Sequence, residues 1–147
     1  MDLSRFLDAQ QGVYDTACAE LRAGRKETHW MWFIFPQLAG LGRSDMARRF
    51  AIADLDEARA YLAHPVLGLR LLECARLAFE AKTDSATELM GSPDDLKLRS
   101  SATLFALVSN DRSVFHRLLD KYFRGQQDRE TLMLLKGSAE PPTLESP

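Results

Sequence analysis

No stretch of this chain alternates polar and apolar residues with a period of two, so a sheet architecture is excluded. No apolar run approaches the ~18 residues that a membrane-spanning helix needs, so no membrane partner is expected. Cysteine is scarce. Cys18 and Cys74 are not in a CxxC spacing, and both fall on helical patterns. The pair therefore reads as reduced core thiols. HxxxH and HExxH spacings are missing as well, so no set of three or four metal ligands can be assembled and no metal or other cofactor is expected. A basic surplus is also absent: 19 Lys and Arg face 21 Asp and Glu, for a net charge of -2. Dedicated nucleic-acid binders carry a clearly basic balance, so nucleic acid is not an expected partner. No leader pattern opens the chain, which points to the cytoplasm. Internal repeats are absent, and nothing in the sequence sets an oligomeric state.

What is present is helical pattern. At 147 residues the chain suits one domain that buries roughly 70% of its unfolded surface. Leu3, Phe6, Leu7, Gln10, Val13, Tyr14, Ala17 and Leu21 recur at helical spacing, which predicts one helix over 4–23 ended by Gly24. The aromatic stretch from His29 to Phe35 predicts a short helix that Pro36 disturbs or ends. Gly40-Leu41-Gly42 is a loop, and Ser44 is an N-cap for a helix reaching Ile52. Asp54 and Glu57 form a capping box for a helix over 55–63. His64-Pro65 breaks that helix, with Pro65 at the first position of the next, which runs to about Lys82. Gly68 within it implies close approach by another helix. A short helix over 85–90 stops at Gly91. Ser92-Pro93-Asp94-Asp95 starts a helix to about Val108, and Asn110 or Asp111 caps another that Gly125 ends. Asp128 caps a last helix through Leu135. The fold class is all-α, a single compact domain of about seven or eight helices over residues 1–137. A Pro-rich tail over 138–147 is expected to be flexible. Trp30, Phe35, Phe105 and Phe115 are predicted core residues.

Several of these segments recur together in a known family. They are Phe6 with Gln10, His29-Trp30-Met31-Trp32, Phe35-Pro36-Gln37 and Gly40-Leu41-Gly42 with Ser44. Further on come His64-Pro65 with Leu67-Gly68, Asp95 with Lys97, Arg99-Ser100-Ser101 and Thr103-Leu104-Phe105. In this the chain resembles the domain of unknown function 1810 family over about residues 3–136. The resemblance implies an all-helical bacterial cytoplasmic protein. It brings no catalytic residues. The calpastatin-like label sometimes attached to that family has no support in these residues.

The candidate chemistry lies in two places. His29, Trp32, Arg43 and Ser44 fall within sixteen residues. An imidazole can move a proton, an indole face can cover a ring, and an Arg beside a helix start suits an anionic group. Asp95, Arg99 and Thr103 share one face of the following polar helix at i, i+4, i+8, with Asp95–Arg99 a helix ion pair. If the two places meet across a cleft, they suit a small anionic or nucleotide-like ligand, ADP-ribose-like in character. Each residue also has a plain structural use. His29 can start a helix, Trp32 can pack in the core, Arg43 can be solvated, and the polar face can be a stabilising network. The chain would then be a protein-interaction module without catalytic activity.

Overall fold

The computed structural model describes residues 1–139, with side chains through Gly137. Among them are ten helices: α1 Ser4–Gln10, α2 Tyr14–Ala23, α3 Met31–Ile34, α4 Asp45–Arg49, α5 Leu55–Ala63, α6 Leu67–Glu80, α7 Ala86–Met90, α8 Asp94–Ala106, α9 Val114–Phe123 and α10 Arg129–Ala139. The all-α expectation holds, with a slightly higher helix count. α10 runs past Leu135, and the tail assigned to 138–147 lies outside the described residues from residue 140 onward.

The first expected helix is two helices. Gly12 sits at φ +78, in the left-handed region that a right-handed helix cannot pass through, and the Val13 amide turns back to the Gln10 carbonyl. The apolar pattern survives the break because both pieces face the same core, through Leu3 and Phe6 on one side and Ala17, Cys18 and Leu21 on the other. α4 also ends early. Ser44 caps it as expected, accepting the Ala47 amide at 3.1 Å. Beyond Arg49 the chain extends so that Ile52 can pair with Leu38 in a parallel bridge, with Ile52 N–H donating to the Gln37 carbonyl and Ala39 N–H to that of Ile52. Arg5 secures this exit by donating to the Arg49 and Ala51 carbonyls, both at 2.8 Å.

The other caps follow local chemistry. Asp54 accepts the Glu57 amide, and the Glu57 carboxylate reaches back to the amide of Ala53, one residue before the cap. Pro65 stands before α6, and His64 caps that helix by accepting the Val66 and Leu67 amides on Nδ1. Two predicted caps are not made. Ser113, not Asn110 or Asp111, caps α9, since its hydroxyl lies three residues before the amide that needs it. α8 starts at Asp94 without a side-chain cap from Ser92 or Pro93.

α8 is the centre of the fold and packs against α5, α7, α9 and α10. Its residues from Ser100 to Ala106 are all buried. A helix buried all round needs small side chains and satisfied hydroxyls. Ser100 and Thr103 return their hydroxyls to the carbonyls of Leu96 and Arg99, whereas the Ser101 hydroxyl is buried with no hydrogen-bond partner among the described residues. An aromatic series then threads the core: Phe33, Phe50, Phe6, Tyr61, Phe105 and Phe115, with successive ring centroids 4.8–5.8 Å apart. The four predicted core aromatics are all buried. Gly68 shows the close approach its sequence position implied: a Cβ there would overlap the Leu62 carbonyl at the end of α5.

Phe105→Ala should destabilise the fold by about 3–5 kcal/mol, because it opens a cavity in the buried core between Tyr61 and Phe115. Denaturant unfolding checks this, and an unchanged midpoint would contradict it. Gly→Ala should have opposite signs at two helical sites. Gly68→Ala should cost about 1–3 kcal/mol through overlap with the Leu62 backbone. Gly137→Ala, with open space around its Cβ, should stabilise by up to about 1 kcal/mol. Two melting curves decide both signs.

Candidate functional site

The site stretch is held first by one carboxylate. Glu20, on α2, accepts four hydrogen bonds: from the Glu27 amide at 2.8 Å, the Thr28 amide at 3.0 Å, the Thr28 hydroxyl at 2.7 Å and Trp30 Nε1 at 2.8 Å. Burial opposes its charge, but these donors outweigh burial and hold the carboxyl down to about 2. Lys26 locks the same turn by donating to the Thr28 carbonyl and pairing with Asp94 at 2.9 Å, with its ammonium over the Trp30 ring. Trp30 is thereby fixed in the core. Trp32, two residues on, leaves the core and lies half-buried beneath the Lys97 ammonium, 5.2 Å from its ring centroid.

After Trp32 the chain turns. Pro36 is buried and has no N–H, so α3 stops at Ile34. The Phe33 carbonyl is instead satisfied by Gln10 Nε2 at 2.9 Å and by the Tyr61 hydroxyl. Gln10 also donates to Tyr61 and accepts from Arg70, whose guanidinium stacks on Tyr14. Desolvation of the fully buried Tyr61 hydroxyl pushes its pKa well up, so it stays a neutral donor.

From this frame the Leu41–Ser44 loop projects toward α8 and the start of α10. Between them lies a cleft of about 470 Å³, lined by Gln37, Arg43, Ser44, Lys97, Ser100 and Glu130 among others. Among the described residues the Arg43 side chain makes no hydrogen bond or ion pair and is exposed. Lys97 has only a 3.5 Å approach to Asp94.

The predicted site residues divide. Arg43 and Ser44 line this cleft, whereas Trp32 is not among its lining residues and is linked to it only through Lys97, whose ammonium lies over its ring. His29 is exposed and lines none of the cavities described. Asp95, Arg99 and Thr103 lie on another face of α8. Asp95 accepts the Thr87 hydroxyl at 2.6 Å and ties α7 to α8. Arg99 donates to the Gln126 and Gln127 carbonyls, and Thr103 accepts the Asp128 amide. Those two residues hold the connection from α9 to α10. The Asp95–Arg99 ion pair is not formed, because each group is engaged elsewhere. The α8 face that meets the Leu41–Ser44 loop carries Leu96, Lys97 and Ser100. Lys97 to Ser100 is a helical i, i+3 step, so the spacing offered this face as readily as the one chosen. Gln37, Lys97, Ser100, Asp128 and Glu130 are thus the polar cleft residues missing from the predicted set.

Glu20 also sets an acid limit on this region. Its folded pKa, about 2, lies below the ordinary 4.5, so the unfolded chain takes up the proton first as pH falls. The stabilisation is complete above 4.5 and is lost between 4.5 and about 2. Wild type should therefore lose melting temperature across that interval more steeply than Glu20→Gln. Parallel curves for the two proteins would contradict this role.

No curated protein matches the chain. The crystal structure of the conserved hypothetical protein Rv1873 from Mycobacterium tuberculosis is similar at 52% sequence identity and a TM-score of 0.89, covering 92% of this chain and 96% of that one. The sequence pattern described as "Protein of unknown function (DUF1810)" matches residues 1–135, which hold the Trp30 turn, the Pro36 stop and both walls of the cleft, and the chain belongs to that family.

Proposed function

We propose that the cleft between the Leu41–Ser44 loop and the Lys97 face of α8 binds a small anionic, nucleotide-like ligand, ADP-ribose-like in character. The observation that carries this is the pair of cations at one cleft, Arg43 with no partner among the described residues and Lys97 weakly paired. Arg5, Lys26 and Arg99 are held by backbone carbonyls or a carboxylate, whereas Arg43, like the exposed Arg25 and Arg117, is not; what sets Arg43 apart is that it shares a cleft with Lys97. A guanidinium and an ammonium facing a cavity of this size suit phosphate oxygens. The Trp32 ring lies under the Lys97 ammonium, so a ligand base would reach it only by displacing Lys97. Two carboxylates, Glu130 and the α10-capping Asp128, also line the cleft; they repel a bare polyphosphate but accept sugar hydroxyls, which favours a sugar-linked phosphate. A bacterial cytoplasmic setting suits such a ligand, and no described helix is long and apolar enough to cross a membrane.

A second reading has its own observation. Leu69 is 68% exposed, and Val66 and Leu72 flank it at i−3 and i+3 on α6, beside a groove of about 660 Å³ lined by Phe79, Val108 and Val114. Such a surface suits a protein partner, and the chain would then act as an interaction module.

A thermal-shift series with ADP-ribose, NAD, nucleotides and sugar phosphates separates the two. A ligand present at a hundredfold its Kd adds about 2.7 kcal/mol to the native state. The ligand-binding reading predicts a rise in Tm for wild type and its loss in the Arg43→Ala, Lys97→Ala double variant, with the unliganded Tm little changed. Arg99→Ala should behave the other way, losing about 1–3 kcal/mol of stability while keeping the ligand shift. No shift with any of these compounds would sink the cleft proposal.

A further inference from the structure

The chain's two cysteines lie 56 positions apart in sequence, on α2 and α6, yet their sulfurs are 3.9 Å from each other in the core. We infer that Cys18 and Cys74 form a peroxide-oxidisable dithiol, which closes into an intramolecular disulfide stapling α2 to α6.

Three features support this. α2 and α6 pack directly on one another, so the two thiols meet across an interface the fold already makes. A disulfide needs an S–S separation of about 2.0 Å, so the sulfurs must approach by about 2 Å, a movement within reach of side-chain rotation and small helix shifts. Burial, 4% exposure for Cys18 and 0% for Cys74, keeps a second protein molecule away and so favours the internal bond over a mixed one. The same burial selects the oxidant. A charged, bulky disulfide such as oxidised glutathione is excluded from this position, whereas hydrogen peroxide is small and uncharged. Cys18 retains the slight exposure, 4% against 0% for Cys74, so it is the sulfur that reacts first.

The steps balance with peroxide as the one co-reactant. The Cys18 sulfur attacks one oxygen of the peroxide, the O–O bond breaks, and the thiol proton leaves with the departing hydroxide as water. The Cys74 sulfur then attacks the Cys18 sulfenic acid. The S–S bond forms, the S–O bond breaks, and the Cys74 proton departs with hydroxide as a second water. Two thiols are oxidised to one disulfide, and one peroxide is reduced to two waters. Desolvation raises the Cys74 thiol well above its ordinary range, which keeps the pair reduced and slow to react until the oxidant is in excess.

The test uses the full chain, freed of reductant and titrated with hydrogen peroxide. Intact mass should fall by about 2 Da and recover with dithiothreitol. Digestion without reductant should yield a peptide joining Cys18 to Cys74, and the oxidised protein should melt at higher temperature than the reduced one. In Cys74→Ala the loss of mass should disappear, and dimedone should trap a sulfenic acid on Cys18. Oxidation of either cysteine by added oxygen without the joined peptide would overturn the inference, as would disulfide-linked dimers. Because the joined peptide is sought in the unsubstituted protein, a poorly folding variant cannot obscure the result.

Discussion

The Phe33 carbonyl has no helical partner, and much of the fold is arranged to supply one. Pro36 ends α3 inside the core, where water cannot satisfy the last turn. An unsatisfied buried carbonyl costs about 1–3 kcal/mol. Gln10 and Tyr61 converge on it from α1 and α5, and Arg70 of α6 orients the Gln10 amide. One proline thus recruits polar groups from three other helices. It also explains why Gln10 is buried at the end of α1: the helix has to stop there and turn through Gly12 so that the amide can face inward.

The cleft inherits its geometry from that constraint. Once α3 stops, the chain leaves as an extended segment, and Leu38 pairs with Ile52. Arg5 fixes the far side of that pairing by holding the Arg49 and Ala51 carbonyls, and it stacks on Phe6 as it does so. The Leu41–Ser44 loop is therefore carried on two anchored ends. Gly42 fits because a side chain there would strike Ala47 in the first turn of α4. Gly40 lies at φ +101 against Leu134 of α10, which brings that helix to the edge of the cleft. Positioning on anchored ends is what lets an irregular loop present Arg43 at a defined place.

Features that depend on chain neighbours were readable in the sequence. The Ser44 cap, the Asp54–Glu57 box, the stop at Gly91 and the Asp128 cap, which accepts the Thr131 amide, each span three or four residues. What the sequence hid was tertiary pairing. Nothing near Ile52 announces that it will leave its helix for Leu38. Arg99 and Thr103 looked like site residues because their partners, at 126–128, lie more than twenty positions away. Helical spacing shows which residues share a face of α8. It cannot show which neighbour covers that face, and the choice between the Asp95–Arg99 face and the Lys97–Ser100 face turned on that alone.

The same distinction gives a physical criterion for function in an all-helical domain. Polar side chains near the core fall into two groups: those that satisfy backbone orphaned by a turn or a helix end, and those left facing solvent-filled space. Glu20, Gln10, Arg5, Arg99 and Thr103 belong to the first group, and each has an identifiable backbone partner. Arg43 belongs to the second, with Lys97 close to it. Residues in the first group would be retained by any sequence that keeps this fold, whatever it binds. A loop braced at both ends and carrying an unengaged guanidinium serves no such need. Arg43 lines its cleft beside Lys97, Asp128 and Glu130, with no backbone or carboxylate partner for its guanidinium among the described residues.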